Sequence, residues 1–232
     1  MTGPAAGAIV FDFDGVLADT ERLHLAAFQD VFTSRGWRLD EATYFSRYLG
    51  FDDRGLVAEF ARDLGVAIVP GDLDAVVRAK SRRFAERLAA GNAMYPAAAA
   101  CVRRLGARYQ LAIASGARRS EIISILDAAG LTPAFRAIVG ADDVPRGKPA
   151  PDSYGLAAHR LGVEPAQAVA VEDSRWGLQS ARAAGLRAIG ITTSYPASEL
   201  APADAIIASL DELTTSLVEA VLKLPFAMDS DI

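Results

Sequence analysis

The chain has 232 residues, 51% hydrophobic and 23% charged, the balance of an ordinary soluble globular protein; collagen, a disordered chain and a disulfide miniprotein are excluded. With 24 Lys and Arg against 29 Asp and Glu the net charge is −5, mildly repulsive towards phosphate backbones and anionic lipid, so neither nucleic acid nor a membrane is an expected partner. The one cysteine, Cys101, cannot form an intramolecular disulfide. No apolar stretch approaches the roughly 18 residues of a membrane helix. MTGPAAGAIVF lacks the layout of a signal peptide, so a cytoplasmic protein is expected.

Short apolar runs rich in β-branched residues read as buried strands: AIVFDFD (8–14), YQLAIAS (109–115), AIV (137–139), AVAVED (168–173), RAIGIT (187–192) and DAII (204–207). Straight after the first comes a stretch of about 75 residues with no convincing strand. Its segment ERLHLAAFQDVFTSRG spaces Leu25, Phe28 and Phe32 as on one helix face, and LDAVVRAKSRRFAERLAAG reads as a second amphipathic helix with a basic face. Two shorter helices fit between them. From about residue 96 onward strands alternate with the helix-like segments PAAAACVRRLGA, RRSEIISILDAAG, PDSYGLAAHRLG, SRWGLQSARAAG and SLDELTTSLVEAVL, several ending in glycine. That alternation implies right-handed crossovers and an α/β fold, a parallel sheet with helices on both faces. LPFAMDSDI reads as a frayed end.

Ligands of an open parallel sheet bind beyond the carboxyl ends of its strands. Four such places carry polar residues: Asp12 and Asp14 after the first run, Ser115 after the second, Lys148 in the loop DDVPRGKPAPD, and Glu172 with Asp173 after AVAV. Taken singly, Ser115 reads as a helix N-cap, Lys148 as a surface loop residue and Glu172-Asp173 as an acidic cap. Their joint order and placement outweigh those readings. Three carboxylates brought together, Asp12, Glu172 and Asp173, repel by roughly 4 kcal/mol for each pair about 4 Å apart. A divalent cation relieves that repulsion, and oxygen-only ligands favour Mg2+. With Mg2+ and Lys148 the three carboxylates reach neutrality, so a phosphate dianion can enter. Ser115 and the amides of Gly116 and Ala117 can donate to its oxygens.

These segments resemble the four motifs of the haloacid dehalogenase superfamily: FDFDGVLADT the first, IASGA the second, GKPAPD the third and VEDS the fourth. The insert is similar to the helical cap of that superfamily's β-phosphoglucomutase-like branch. The resemblance implies a Rossmann-like core (1–19 and 95–232) and an all-helical cap (20–94), hinged at Gly15 to Thr20 and Met94 to Pro96. It implies Asp12 as nucleophile, and Asp14 as general acid and base whose backbone carbonyl also binds the metal. An Asp at that second position argues against dehalogenase chemistry and for phosphoryl transfer.

The implied function is an Mg2+-dependent phosphatase of a small phosphorylated metabolite, a sugar phosphate, acting as a monomer. His24 in DTERLH, Lys80 in AKSRRF and Arg118 match substrate-contacting positions of the branch; the alternatives are a surface or packing histidine and, for Lys80 among Arg78, Arg82 and Arg83, a solvated face. Mutases of the branch carry a cap loop resembling G-x-S-R-E, whereas this chain reads Gly50-Phe51-Asp52-Asp53-Arg54, with no Ser and with Arg54 displaced by one residue. The departure favours a phosphatase over a hexose-phosphate mutase.

Overall fold

The computed structural model describes residues 7–48, 51, 53–90 and 93–225. The chain divides into two compact units, one of Met1–Asp19 with Met94–Ile232 and one of Thr20–Ala93.

In the first unit six strands, β1 (Ala8–Phe11), β2 (Gln110–Ala114), β3 (Phe135–Val139), β4 (Ala168–Glu172), β5 (Arg187–Ile191) and β6 (Ala205–Ile207), form one sheet in the order β3-β2-β1-β4-β5-β6. Every pairing is parallel, so all carboxyl ends share one edge; Phe11 is in register with both Ile113 and Val171. The side-chain period of two divides the sheet into unlike faces. On one, Ala8, Ala112, Ala137, Ala168 and Ala188 leave room for the large side chains of α7 (Asp152–Leu161) and α8 (Arg175–Ala183), among them Tyr154, Leu161 and Leu178. The other carries Ile9, Phe11, Ile113 and Val171, all buried. α5 (Ala98–Gly106) packs against β2, and α9 (Thr215–Leu222) against β4 and β5. Each fully buried Ile, Val or Phe contributes roughly 1.5–3 kcal/mol. Helix α6 (Arg119–Ala128) follows β2.

Most elements are shorter than their sequence patterns, and in two the local cause is plain. The first run leaves the sheet after Phe11: Asp12 N–H still donates to Val171 O, but the amides of Val16, Leu17 and Ala18 all turn onto Phe13 O. Gly15, at φ +77°, supplies the left-handed residue that this tight loop requires. The segment SLDELTTSLVEAVL is helical only from Thr215, because Thr214 Oγ1 accepts the Leu217 amide as an N-cap. His159 lies exposed near the end of α7. The segment read as a frayed end runs into residues 226–232, outside the described ones. Both connections to the second unit are tied inside the first: Ala18 bridges Met94, and Tyr95 N–H donates to Leu17 O.

The second unit contains α1 (Glu21–Thr33), α2 (Glu41–Thr43) running into a π turn (Tyr44–Tyr48), α3 (Asp53–Asp63) and α4 (Pro70–Ala90), with no strand among its described residues. Leu25, Phe28 and Phe32 are buried as their spacing requires. Phe32 stacks on Phe60 with centroids 4.9 Å apart and meets the edge of Trp37 at 5.3 Å. Among the described residues no helix is long and apolar enough to cross a membrane.

Phe32 is fully buried at the centre of this aromatic cluster, so Phe32→Ala should cost about 3–5 kcal/mol. Urea unfolding followed by Trp37 fluorescence in a Trp176→Phe background checks this; a loss under about 1 kcal/mol would show that the cluster does not hold the unit together.

Candidate active site

The strand order reverses at β1, with β2 on one side and β4 on the other, which is where open parallel sheets bind ligands. Asp12 stands one residue beyond β1, Glu172 ends β4, Asp173 follows it, and Ser115 follows β2. The pairing of β1 with β4 therefore brings together residues 160 positions apart in the chain. Asp12, Glu172 and Asp173 are all buried, and each offers a carboxylate oxygen within 4.8 Å of the others. Lys148 reaches them from the loop between β3 and α7, with Nζ 2.7 Å from Asp12 Oδ1 and 2.6 Å from Glu172 Oε1. The ion pair leaves Asp12 Oδ1 without a regular hydrogen bond.

Glu172 is the most firmly held of the three. Besides Lys148, Tyr154 Oη donates to its Oε1 at 3.3 Å, and Ser174 donates to Oε2 through both its amide (2.8 Å) and its hydroxyl (2.9 Å). Burial alone would raise its pKa, but Lys148 and the two Ser174 donors outweigh burial and hold it below the ordinary range. The other two go the opposite way. Burial, then the charges of Glu172 and Asp14, push Asp12 up to about 8 in spite of Lys148. Burial, then Glu172 and Asp12, push Asp173 well above its ordinary value. Lys148 is raised, because its two carboxylates outweigh its own burial.

One ammonium among three buried carboxylates leaves the cluster short of positive charge. The donor set suits a hard divalent cation: oxygen atoms only, gathered at one point and destabilised by mutual repulsion. The residues fit Mg2+.

Asp14 is half-buried, and Ser115 Oγ donates to its Oδ2 at 3.2 Å. Ser115, buried, accepts the Ala117 amide at 2.9 Å. Gly116 and Ala117 therefore form the turn before α6 rather than its first residues, and the space beside Gly116 Cα is open. Arg118 caps α6 and is exposed.

In the second unit the structure brings His24 and Lys80 together and leaves Arg54 apart. Lys80 shares the buried stripe of α4 with Val76 and Phe84, while Arg78, Arg82 and Arg83 are exposed; the solvated-face reading holds for the arginines and not for Lys80. Its ammonium donates to Asp53 Oδ1 at 2.6 Å and to His24 Nδ1, and lies 4.8 Å from the Phe28 centroid and 5.3 Å from that of Phe84. His24 stacks on Phe84, and burial, then Lys80, push its pKa down to about 3, so the neutral ring accepts at Nδ1. Arg54 is exposed and paired with Asp74. The segment read as a cap loop is a loop at most up to residue 52: Asp53 and Arg54 are the first residues of α3, and Gly50 and Asp52 lie outside the described residues.

Sequence reasoning missed Tyr154, Asp53 and the pair Thr193-Ser194. Thr193 Oγ1 donates to Gly15 O and Ser194 Oγ to Asp173 Oδ2. These two follow β5, and the strand-end rule applied to the fifth run would have found them. A cavity of about 540 Å³ is lined by Val16, Tyr95, Ile191, Thr193 and Leu210 among others, and by none of the clustered carboxylates.

Two glycines are required by the cluster itself. A Cβ at Gly177 would fall 1.5 Å from Glu172 Oε1, and one at Gly15 would fall 1.9 Å from Asp173 Oδ2. In an ordinary helix Gly→Ala is favourable by about 1 kcal/mol. At Gly177 the sign should reverse, with Gly177→Ala destabilising by about 1–3 kcal/mol because Glu172 must leave its donors. Thermal unfolding against the parent chain checks the sign.

Residues 9–191 match the family model for haloacid dehalogenase-like hydrolases. Protein CbbY of Rhodobacter capsulatus is 34% identical over 94% of this chain and 98% of its own. The fructose-1-phosphate phosphatase YqaB of Escherichia coli is 32% identical over 79% of this chain and 95% of its own. The crystal structure of CbbY from Rhodobacter sphaeroides in complex with xylulose 1,5-bisphosphate superposes with a TM-score of 0.77 at 33% identity, covering 89% of this chain and 96% of that one. The order of motifs, the parallel sheet and these likenesses agree: the chain belongs to the haloacid dehalogenase-like hydrolase family, as a phosphatase of its CbbY-like and β-phosphoglucomutase-like branch.

Proposed function

We propose that the chain hydrolyses a small phosphorylated metabolite, a sugar phosphate, through an aspartyl-phosphate on Asp12 with Mg2+ as cofactor. The observation that carries this reading is the meeting of Asp12, Glu172 and Asp173 within 4.8 Å of one another beside Lys148. The substrate class is supported by two relatives, one named a fructose-1-phosphate phosphatase and one crystallised with xylulose 1,5-bisphosphate.

In this reading Asp12, the backbone carbonyl of Asp14, Glu172 and Asp173 hold Mg2+, which supplies positive charge against the phosphoryl oxygens. Lys148, the Ser115 hydroxyl and the Gly116 and Ala117 amides bind those oxygens, and Arg118 adds positive charge at the same strand end. A carboxylate oxygen of Asp12 attacks phosphorus in line, and the bond to the leaving oxygen breaks as Asp14 gives that oxygen its proton. Asp14 then takes a proton from the water that attacks the aspartyl-phosphate. The bond between phosphorus and the Asp12 oxygen breaks, and inorganic phosphate leaves. Without substrate the single Ser115 hydroxyl proton goes to Asp14 Oδ2, and in this reading it turns to a phosphoryl oxygen when substrate binds. His24 and Lys80, which the resemblance implies as substrate contacts, are engaged with each other, with Asp53 and with the Phe28 and Phe84 rings, and like Arg54, given to Asp74, they are assigned no role.

A panel of phosphomonoesters run with and without Mg2+ tests the reading. Phosphate release should stop with EDTA, return with Mg2+, and fall below detection in Asp12→Asn; release surviving that substitution refutes the nucleophile. Rapid quenching with 32P-labelled substrate should leave label on Asp12. Glucose 6-phosphate formed from β-glucose 1-phosphate and a bisphosphate primer, without phosphate release, would instead favour a mutase.

A further inference from the structure

The loop after β5 closes onto the carboxylate cluster at two points. Ser194 Oγ donates to Asp173 Oδ2, and the neighbouring Thr193 Oγ1 donates to the backbone carbonyl of Gly15, the residue that follows Asp14. Gly15 in turn lies flush against that carboxylate: a Cβ there would fall 1.9 Å from Asp173 Oδ2 and 2.7 Å from Ser194 Oγ. Three pieces of chain distant in sequence thus interlock around one side chain.

The holding of the three carboxylates is uneven. Glu172 receives Lys148, Tyr154 and two donors from Ser174, and Asp12 is paired with Lys148. Among the described residues, the hydrogen-bond donor to the Asp173 side chain is Ser194 Oγ. Asp173 is also the carboxylate that Lys148 does not pair, so it faces the repulsion of Glu172 and Asp12 with a single hydroxyl to orient it. Ser194 is half-buried and Thr193 exposed, so the Ser194 hydrogen bond lies outside the packed core that holds the fold. Its effect falls on where the carboxylate points.

We propose that Ser194 is a positioning residue for the metal centre: its hydroxyl fixes the Asp173 carboxylate in the orientation that meets Asp12 and Glu172, and Thr193 fixes the adjoining Gly15 peptide. The inference rests on the reading of Asp12, Glu172 and Asp173 as an Mg2+ site. Hydrogen-bond partners of metal ligands set ligand orientation, and losing one costs typically about 10- to 100-fold in metal affinity.

The test uses the full chain, stripped of metal, and metal alone as the probe: Mn2+ binding followed by electron paramagnetic resonance, with Mg2+ as competitor. Ser194→Ala should weaken both ions about 10- to 100-fold, and Ser194→Thr, which keeps the hydroxyl, should restore affinity. The unfolding midpoint of the metal-free variants should stay near that of the parent, which separates positioning from a folding defect. Binding by Ser194→Ala within about two-fold of the parent overturns the inference and leaves the proposed function standing, as does equal weakening in Ser194→Thr. A parent chain that binds neither ion overturns both.

Discussion

The structure depends on an electrostatic imbalance held at the sheet's carboxyl edge. Three buried carboxylates share one ammonium, and the group is kept together by the pairing of β1 with β4 and by the reach of Lys148. Burial first, and the repulsion of neighbouring carboxylates after it, pushes Asp12 and Asp173 upwards, towards holding their protons. Glu172 escapes this because Lys148 and the two Ser174 donors converge on it. The cluster is therefore short of positive charge, which a hard cation held by these oxygens would supply.

The rest of the first unit makes this concentration of charge possible. The alanine-rich face of the sheet lets α7 and α8 approach closely, which places Tyr154 and Ser174 against Glu172. Gly177 and Gly15 leave the volumes that two carboxylates occupy. Small residues are used where the backbone must come near a charge, and large ones on the opposite face, where volume is what holds the layers together.

The second unit repeats the theme with one cation. Lys80 is buried between two aromatic rings with Asp53 and a neutral His24 as partners, an arrangement that costs desolvation and is kept by cation–π contacts and hydrogen bonds. Its place on the Val76–Phe84 stripe, four residues from each, is a helical-period position at which an apolar residue would ordinarily sit.

Much of this was legible in the residues themselves. Apolar runs ending in Asp12, Ser115 and Glu172 report strand ends, because burial on both faces of a parallel sheet forces continuous apolar runs and the first polar residues mark where burial stops. The alternation of strand and helix defines the α/β class for the same reason, and the strand-free stretch marks the insert. Partnerships were not legible: which carboxylate Lys148 pairs with, that Lys80 is buried while Arg82 is exposed, and that Ser194 holds Asp173. Local pattern reads burial and period along one chain segment, whereas these contacts join segments up to 178 residues apart and are set by how the sheet orders its strands and how the loops close over them.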